Sequence, residues 1–195
     1  MAKTATRAQP RTEDRTQVTY EDYLEIPNDG RRWEVVDGEP YVSPAPGAAH
    51  QLVIFQLTHF VSTYLREHPI GRAVQSPFDV LLDDTNIVQP DFLYLRREKL
   101  SRFTERGIEG APDLVVEVLS ESSRRLDEKV KLSLYERYGV EEYWVIDPVL
   151  ETVKVRRRGK EGFGAPSLLD AEAGDTLTTP LLPALEIPLA ELFSQ

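Results

Sequence analysis

Cysteine is absent from the 195-residue chain, and its absence excludes several kinds of chemistry. Disulfide bonds, zinc sites built from thiolates and cysteine nucleophiles all require a residue that this sequence lacks. The absence is compatible with the reducing cytosol, and we expect a cytoplasmic protein. Long hydrophobic runs are also missing. No segment approaches the ~18 apolar residues of a transmembrane helix, so we expect no association with a membrane.

Positive charge is in the minority. The chain has 23 Lys and Arg against 33 Asp and Glu, which gives a formal net charge of −10. This balance argues against a protein whose whole surface binds nucleic acid, but it allows a local basic cleft around an acidic site. The run KVRRRGK at 154–160 is one candidate for such a cleft, although a solvated hairpin is the favoured interpretation.

The length fits one domain that buries a substantial core. Residues 1–17 are polar and lack a hydrophobic segment, so we expect a disordered tail rather than a secretory signal. Residues 18–195 are expected to form a single domain. The order of helix and strand patterns predicts an α/β (α+β) fold, with an N-terminal helix and β-hairpin and a central mixed β-sheet flanked by helices.

Local signals define several elements of this domain. The Asp37-Gly38 dipeptide is a strong tight-turn signal, and apolar residues recur at helical spacing in two longer segments. Gly139 lies where a left-handed cap would end the second of these helices. The predicted ranges are strands 32–36 and 39–43 and helices 48–68 and about 123–138.

Two further segments are predicted as strands of the central sheet. NIVQPDFLYL (86–95) is predicted as one strand in which Pro90 marks an edge or a bulge. DLVVEVLS (113–120) lacks polar alternation, which indicates a strand buried on both faces. Together with the helix and strand that follow it, the second segment predicts one parallel crossover.

Carboxylates interrupt both of these apolar segments. Glu117 lies inside the second, where burying an unpaired carboxylate costs several kcal/mol. Asp91 lies inside the first, 26 residues earlier, so the two can lie side by side on neighbouring strands. Such a pair repels unless a cation lies between them, and Mg²⁺ or Mn²⁺ needs only one or two carboxylates. Asp113 is excluded as a partner because it lies roughly 13 Å along the strand from Glu117 at ~3.3 Å per residue.

A lysine near such a site orients water or stabilises charge in the transition state. Lys131 and Lys129 are the two candidates, and they lie about 160° apart around the helix at ~100° per residue. Asp127 and Tyr135 share the side of Lys131, which favours Lys131 as the inward residue. Structural roles remain open at this point. Glu117 and Lys131 can form a buried ion pair, and the remaining carboxylates and histidine can be surface or capping residues.

The motifs QPD (89–91), EVLS (117–120) and DEKVKLSLYERYGVEEYWVID (127–147) resemble the Uma-type restriction endonuclease family of the PD-(D/E)XK nuclease superfamily. WEVVDGEPYVSP, the histidine that follows it and the ending LLPALEIPLAELF also resemble that family. The resemblance covers roughly residues 18 to 193. It implies a restriction-endonuclease-like core, a DNA substrate and a homodimer.

The resemblance also implies the roles of the site residues. Asp91 and Glu117 would be the metal ligands and Glu34 an additional acidic residue. Leu119 stands where the superfamily's plain motif has a lysine, and Lys131 on the helix matches the position to which the family has moved it. The accessory residues would be His50, Gln89 and Asp127.

The sequence therefore predicts a Mg²⁺-dependent (or Mn²⁺-dependent) DNA endonuclease that hydrolyses phosphodiester bonds with metal-activated water. The main alternative is a nuclease-fold protein that acts as a binding or scaffold module without strong catalysis, because fold does not imply function. A glycosidase with paired carboxylates is a third alternative, which Lys131 and the Pro-Asp context weaken.

Overall fold

The computed structural model describes residues 6–7, 17–27, 30–120 and 123–194. The helices are α1 (Tyr20–Leu24), α2 (Ala48–Glu67), a 3-10 helix (Arg97–Arg102), a π-helix (Leu126–Lys131), α3 (Leu132–Arg137) and α4 (Leu189–Leu192). The first strands are β1 (Thr6–Arg7), β2 (Arg32–Val36), β3 (Glu39–Ser43), β4 (Gly71–Gln75), β5 (Val80–Asp83), β6 (Asn86–Val88), β7 (Phe92–Arg96), β8 (Phe103–Thr104) and β9 (Gly107–Glu109). The later strands are β10 (Leu114–Val118), β11 (Glu142–Asp147), β12 (Thr152–Gly159), β13 (Gly162–Phe163), β14 (Ser167–Asp170), β15 (Thr176–Thr178) and β16 (Glu186–Pro188).

Two sheets of seven strands form most of the described structure. The first has the order β1-β3-β2-β6-β5-β9-β8, and the second has the order β13-β12-β11-β10-β7-β4 with β14 paired to β12. Each sheet contains one parallel pair among antiparallel ones, β5 with β9 in the first and β10 with β11 in the second. The mixed α+β class and the parallel crossover after β10 are thus confirmed.

Strand β10 lies at the centre of the second sheet, and its side chains alternate between two hydrophobic clusters. Leu114, Val116 and Val118 pack in the cluster that includes the inner face of α2. Val115 and Leu119 pack in the cluster that includes residues of α3. Both faces are covered, as a strand without polar alternation predicts. Glu117 shares the face of Val115, so its side chain projects toward the π-helix and α3.

The local turn and cap predictions are confirmed. Asp37 and Gly38 both have positive φ, 52° and 75°, as the tight turn between β2 and β3 requires. A Cβ on Gly38 would lie 2.5 Å from the Cβ of Gln17, so a side chain does not fit there. Gly139 has a φ of 82° and ends the helix in the left-handed conformation.

The prediction of a single strand over 86–95 is wrong. The chain leaves the first sheet after β6, passes through Gln89, Pro90 and Asp91, and enters the second sheet at β7. Proline lacks the N–H that would continue the ladder of β6, so the segment breaks at this point. The break joins the two sheets and places the Pro-Asp dipeptide between them.

The predicted α-helix over about 123–138 also differs from the structure. Residues 124–125 are α-helical, Leu126–Lys131 form a six-residue π-helix, and α3 follows directly. A π-helical turn contains one more residue per hydrogen-bonded ring than an α-helical turn and occurs frequently at functional sites. The hydroxyl of Tyr143 on β11 donates a hydrogen bond to the carbonyl of Asp127 in this segment, at 3.0 Å.

The basic run 154–160 forms the hairpin of β12 and β13, as favoured from the sequence. Arg157 and Arg158 donate hydrogen bonds to Glu142 and to the carbonyl of Val140, so much of this charge is paired within the protein. Most of the tail predicted to be disordered, 1–5 and 8–16, lies outside the described residues. The two tail residues of β1 pair with β3. No helix in the described part of the chain is long and apolar enough to cross a membrane.

Candidate active site

Asp91 lies at the junction of the two sheets and is held by three donors. Arg32 Nη1 lies 2.5 Å from its Oδ1, while His50 Nε2 and the backbone N–H of Val118 lie 3.0 Å and 2.8 Å from Oδ2. Burial alone would raise the pKa of Asp91, but the hydrogen bond from His50 and the charge of Arg32 outweigh it and hold the pKa well below its usual value. Asp91 is therefore a fixed carboxylate.

Glu117 is directly beside Asp91 in the sheet. Phe92 pairs with Val116 across β7 and β10, and continuing that register by one residue sets Asp91 opposite Glu117. Asp91, which directly precedes β7, and Glu117 on β10 are thus placed close together, and their role as a pair of metal ligands stays a prediction. Glu117 and Asp91 are only 0% and 2% exposed, so both charges lie inside the protein.

Lys131 is the centre of the buried charge cluster. Its Nζ lies 2.8 Å from Glu34 Oε1, 3.0 Å from Glu117 Oε1 and 3.3 Å from Asp127 Oδ1. Burial lowers the pKa of Lys131, but Glu117, Glu34 and Asp127 outweigh it, so the pKa is raised and the ammonium stays charged. Lys131 is fully buried in the cluster whereas Lys129 is exposed, so Lys131 is the inward lysine, and its catalytic role stays a prediction.

Tyr135, one turn after Lys131, also contacts Glu117. Its hydroxyl donates a hydrogen bond to Glu117 Oε1 at 2.8 Å. Burial of the phenol and the negative charge of Glu117 both raise the pKa of Tyr135 well above its usual value, so the hydroxyl remains a donor. Two donors from one face of the same helix thus hold a single oxygen of Glu117 and leave the other free.

Negative charge exceeds positive charge in this cluster. Four carboxylates, Glu34, Asp91, Glu117 and Asp127, stand against Arg32 and Lys131, a formal excess of two negative charges with His50 neutral. Oε2 of Glu117 and Oε2 of Glu34 are buried without a hydrogen-bond partner among the described residues. Burial, with the charges of Asp127, Asp91 and Glu34 added, accordingly raises the pKa of Glu117 well above its usual value although Lys131 opposes it.

This donor set fits a hard divalent cation. A buried Glu117 oxygen without a hydrogen-bond partner and a formal excess of negative charge are what Mg²⁺ or Mn²⁺ would satisfy. Within the described ranges, no three His, Cys, Asp or Glu side chains are arranged to enclose a metal by themselves. That is compatible with Mg²⁺, which keeps several waters and takes one or two carboxylates.

The accessory residues occupy different positions. His50, in the first turn of α2, contacts Asp91 directly. Gln89 connects two regions, because its backbone N–H donates to Glu34 Oε1 at 2.8 Å while its side chain donates to Asp79. Asp127 joins the cluster through its ion pair with Lys131. Every residue predicted for the site therefore belongs to one connected group of contacts.

Arg32 and Tyr135 are the site contacts that sequence reasoning did not assign. Arg32 precedes Glu34 by two residues on β2, so strand alternation places both side chains on one face. Tyr135 follows Lys131 by four residues, the spacing of one helical face. Either spacing would have identified the residue once Glu34 and Lys131 were placed in the site.

Asp113 lies apart from this cluster, as predicted. It is fully buried at the other end of the β10 segment, where it accepts a hydrogen bond from the backbone N–H of Arg96 and pairs with Lys99 at 2.6 Å. Its role is therefore to hold the start of β10 against the 3-10 helix. This buried carboxylate without site contacts is a matched control for Glu117.

An open cavity of about 740 Å³ adjoins the buried cluster. Asp91, His50, Arg32, Gln89 and the backbone region of Val118 belong to its wall, whereas Glu34, Glu117 and Lys131 lie behind that wall. The cavity therefore reaches the cluster on the side of Asp91. A substrate in the cavity would meet Asp91 first.

Comparison with solved structures identifies the class of fold to which this chain belongs. The crystal structure of a protein from Anabaena variabilis, described as "a putative nuclease belonging to DUF820", matches with a TM-score of 0.75 and 21% sequence identity. The match covers 90% of this chain and 97% of the other. At this identity the likeness establishes the fold. No curated protein sequence matches the chain.

The family follows from the sequence match. The model of the Uma2 family, described as "Putative restriction endonuclease", matches residues 20–190. The chain belongs to this family, and the resemblance stated from its motifs is confirmed.

Proposed function

We propose that this protein is a DNA endonuclease that requires Mg²⁺ or Mn²⁺ and hydrolyses phosphodiester bonds. The observation that supports the proposal most strongly is the group of four buried carboxylates around Asp91 and Glu117, in which Oε2 of Glu117 has no hydrogen-bond partner among the described residues. Membership of a family of restriction-endonuclease type supports the same reaction and substrate class. A cytoplasmic location and a homodimeric state belong to the same proposal, and sedimentation velocity would test the latter.

Asp91 and Glu117 would hold the metal, which when bound supplies an acidic water and stabilises charge on the phosphate. Arg32, His50 and the N–H of Val118 keep Asp91 ionised and fixed. Holding a ligand in advance avoids reorganisation during the reaction.

Lys131 would orient the attacking water and contribute positive charge near the phosphate. Glu34 and Asp127 hold the ammonium of Lys131 beside Glu117, so the positive charge is already in position before the reaction. Tyr135 donates to the same oxygen of Glu117 as Lys131, so Oε1 is held by two donors and Oε2 stays available for a metal.

A nuclease assay with matched variants tests the proposal. Glu117→Gln and Asp91→Asn remove one charge each, and we expect each to lower divalent-dependent cleavage of plasmid and single-stranded DNA by about 100-fold or more. Asp113→Asn removes a buried charge from the same strand segment, and we expect it to retain cleavage. Circular dichroism establishes that each variant is folded. Full activity in either site variant would exclude the assignment.

A scaffold function is the alternative, and one observation favours it. Lys131 and Glu117 are fully buried, and in a scaffold protein the ammonium of Lys131 would serve to neutralise the carboxylates around it. A structural cluster of this kind would lack metal-dependent cleavage and would show little stabilisation by Mg²⁺ or Mn²⁺. Titration of the melting temperature with either ion distinguishes the two functions.

A further inference from the structure

The cavity beside Asp91 has the size and position of a substrate subsite. Its volume, about 740 Å³, lies in the range of roughly 300–1,000 Å³ that is typical of pockets for small ligands. It reaches from α1 to the Gln89-Pro90-Asp91 segment. A group bound in it would therefore lie next to the carboxylate proposed to hold the metal.

The wall of the cavity suits a flat, uncharged group better than a phosphate. Its two arginines, Arg31 and Arg32, are balanced by Asp79 and Asp91, and Arg32 is engaged with Asp91. With no net positive charge, the described wall offers little attraction for an additional phosphate. The guanidinium of Arg31 lies 5.0 Å from the ring centre of Trp33, and apolar residues such as Leu24, Ile26 and Ile54 share the wall with uncharged polar ones. Aromatic and apolar surfaces of this kind are what nucleobases stack against.

Asp79 is the acidic residue that such a base would meet in the wall away from the buried cluster. Its Oδ1 accepts hydrogen bonds from the hydroxyl of Tyr23 at 2.9 Å and from Nε2 of Gln89 at 2.7 Å. Nε2 of Gln89 also lies 3.0 Å from the Tyr23 hydroxyl, so the three side chains form a closed set. Oδ2 of Asp79 makes no hydrogen bond to the described residues. The two hydrogen bonds to Oδ1 thus orient the Asp79 carboxylate, and Oδ2 remains able to accept a hydrogen bond from a ligand.

Gln89 connects this acceptor to the buried cluster. Its side chain holds Asp79, its backbone N–H donates to Glu34, and Asp91 follows two residues later. A base seated against Asp79 would therefore be coupled through one short segment to the position of Asp91. Burial and the charge of Asp79 raise the pKa of Tyr23 above its usual value, so its hydroxyl remains a donor.

We propose that the cavity receives an unpaired nucleobase of the DNA substrate and that Asp79 selects bases that carry an exocyclic amino group. This inference rests on the proposed nuclease function and adds a substrate class to it. A carboxylate only accepts hydrogen bonds, and cytosine, adenine and guanine each offer an amino donor. Thymine offers only a ring N–H between two carbonyl oxygens, which repel a carboxylate. A duplex without an unpaired base would not fill the cavity.

The test measures binding in EDTA, so that it does not depend on cleavage. The probes are three fluorescein-labelled DNA hairpins of the same stem, with one bulged dC, one bulged dT or no bulge, and Kd is read from anisotropy. We expect the dC hairpin to bind about tenfold more tightly than the dT hairpin, as one hydrogen bond to a charged acceptor provides. The fully paired hairpin should bind more weakly than the dC hairpin.

Variants assign this preference to Asp79. Asp79→Asn should bring the ratio of the two Kd values to about one, because an amide can also donate to thymine. Asp84→Asn makes the same change of charge at an exposed neighbouring position outside the cavity, and it should leave the ratio unchanged. Tyr23→Phe removes one donor to Asp79 and should lower the ratio in part, which keeps the test decisive if Asp79→Asn does not fold.

Equal binding of all three hairpins by the wild type, or an unchanged ratio in Asp79→Asn and Tyr23→Phe, would overturn the inference. Cleavage of the same hairpins with Mn²⁺ separates the two proposals. Cleavage without any base preference in binding would overturn the cavity inference alone. A dC preference that depends on Asp79, with no cleavage under any divalent condition, would overturn the nuclease function and support a base-binding module.

Discussion

Lys131 is the residue on which the stability of the buried cluster depends most, because it is the common partner of Glu34, Glu117 and Asp127. Lys131→Met keeps much of the side-chain length but leaves the three carboxylates without their cation. We expect it to lower the free energy of unfolding by about 3–5 kcal/mol, the usual effect of breaking a buried ion pair. Urea unfolding followed by circular dichroism measures the change.

Lys129→Met is the matched control because Lys129 is exposed on the same helix. Its effect should stay within about 0.5 kcal/mol. Similar losses in the two variants would contradict the central role assigned to Lys131.

Glu117 gives the metal-free protein a distinctive pH dependence. Burial raises the pKa of Glu117 above its ordinary value of 4.5. The folded state thus binds the proton more tightly than the unfolded state, and stability falls as the pH rises from the unfolded pKa through the folded one. Glu117→Gln is neutral throughout and lacks this loss, so it should become more stable relative to the wild type as the pH rises.

Urea unfolding in EDTA from about pH 5 to pH 8 measures this difference. The wild-type profile should decline more steeply than that of Glu117→Gln. Parallel profiles would mean that Glu117 titrates normally and carries no buried excess charge.

At the scale of elements, the π-helix sets which residues of the 126–137 segment face the cluster. Deletion of Lys129 would shorten the π-helical turn and rotate the residues before it by about 100° relative to those after it. Asp127 would then precede Lys131 by three residues instead of four, which displaces its carboxylate from the present ion pair with Lys131. We expect a loss of at least ~2 kcal/mol in unfolding free energy, together with loss of nuclease activity.

Lys129→Ala keeps the length of the segment and serves as the control for this deletion. It should change stability by no more than about 0.5 kcal/mol and should retain activity. A deletion variant that behaves like Lys129→Ala would show that the π-helical register is not required.

Elements with local signals could be predicted from the sequence. The β2–β3 hairpin follows from Asp37-Gly38, and the end of the second helix follows from Gly139, because these residues adopt conformations that others avoid. The break between β6 and β7 could not be predicted in this way. Both halves are equally β-prone, and whether they extend one strand or join two sheets depends on packing partners distant in sequence.

The candidate site was predictable to a similar extent. Glu117 and Asp91 are conspicuous in the sequence because burying a charge in an apolar segment is costly unless a partner compensates it. Arg32 does not stand out, since it lies at the start of a half-exposed hairpin strand where an arginine is ordinary. The π-helix has no clear sequence signal, because its hydrogen bonds depend on tertiary contacts such as that between Tyr143 and the carbonyl of Asp127.

At the scale of the whole molecule, a metal that binds only the folded state should stabilise it by mass action. At a Mg²⁺ concentration of 100 times Kd the gain is about 2.7 kcal/mol, which for a chain of this size corresponds to roughly 5–10 °C in Tm. Differential scanning calorimetry measures the shift.

The net charge of −10 also attracts divalent cations to the surface without a specific site. NaCl at matched ionic strength and Mg²⁺ added to Glu117→Gln are therefore the controls. A specific site predicts a saturating shift in the wild type that both controls lack. Equal shifts in all three samples would indicate surface binding.

Calorimetric titration with Mn²⁺ measures whether Asp91 and Glu117 together hold a divalent cation. We expect one saturable site per chain in the wild type and in Asp113→Asn, and at least tenfold weaker binding in Asp91→Asn and Glu117→Gln. Equal Mn²⁺ affinity in the wild type and both site variants, or no saturable binding in the wild type, would contradict this expectation.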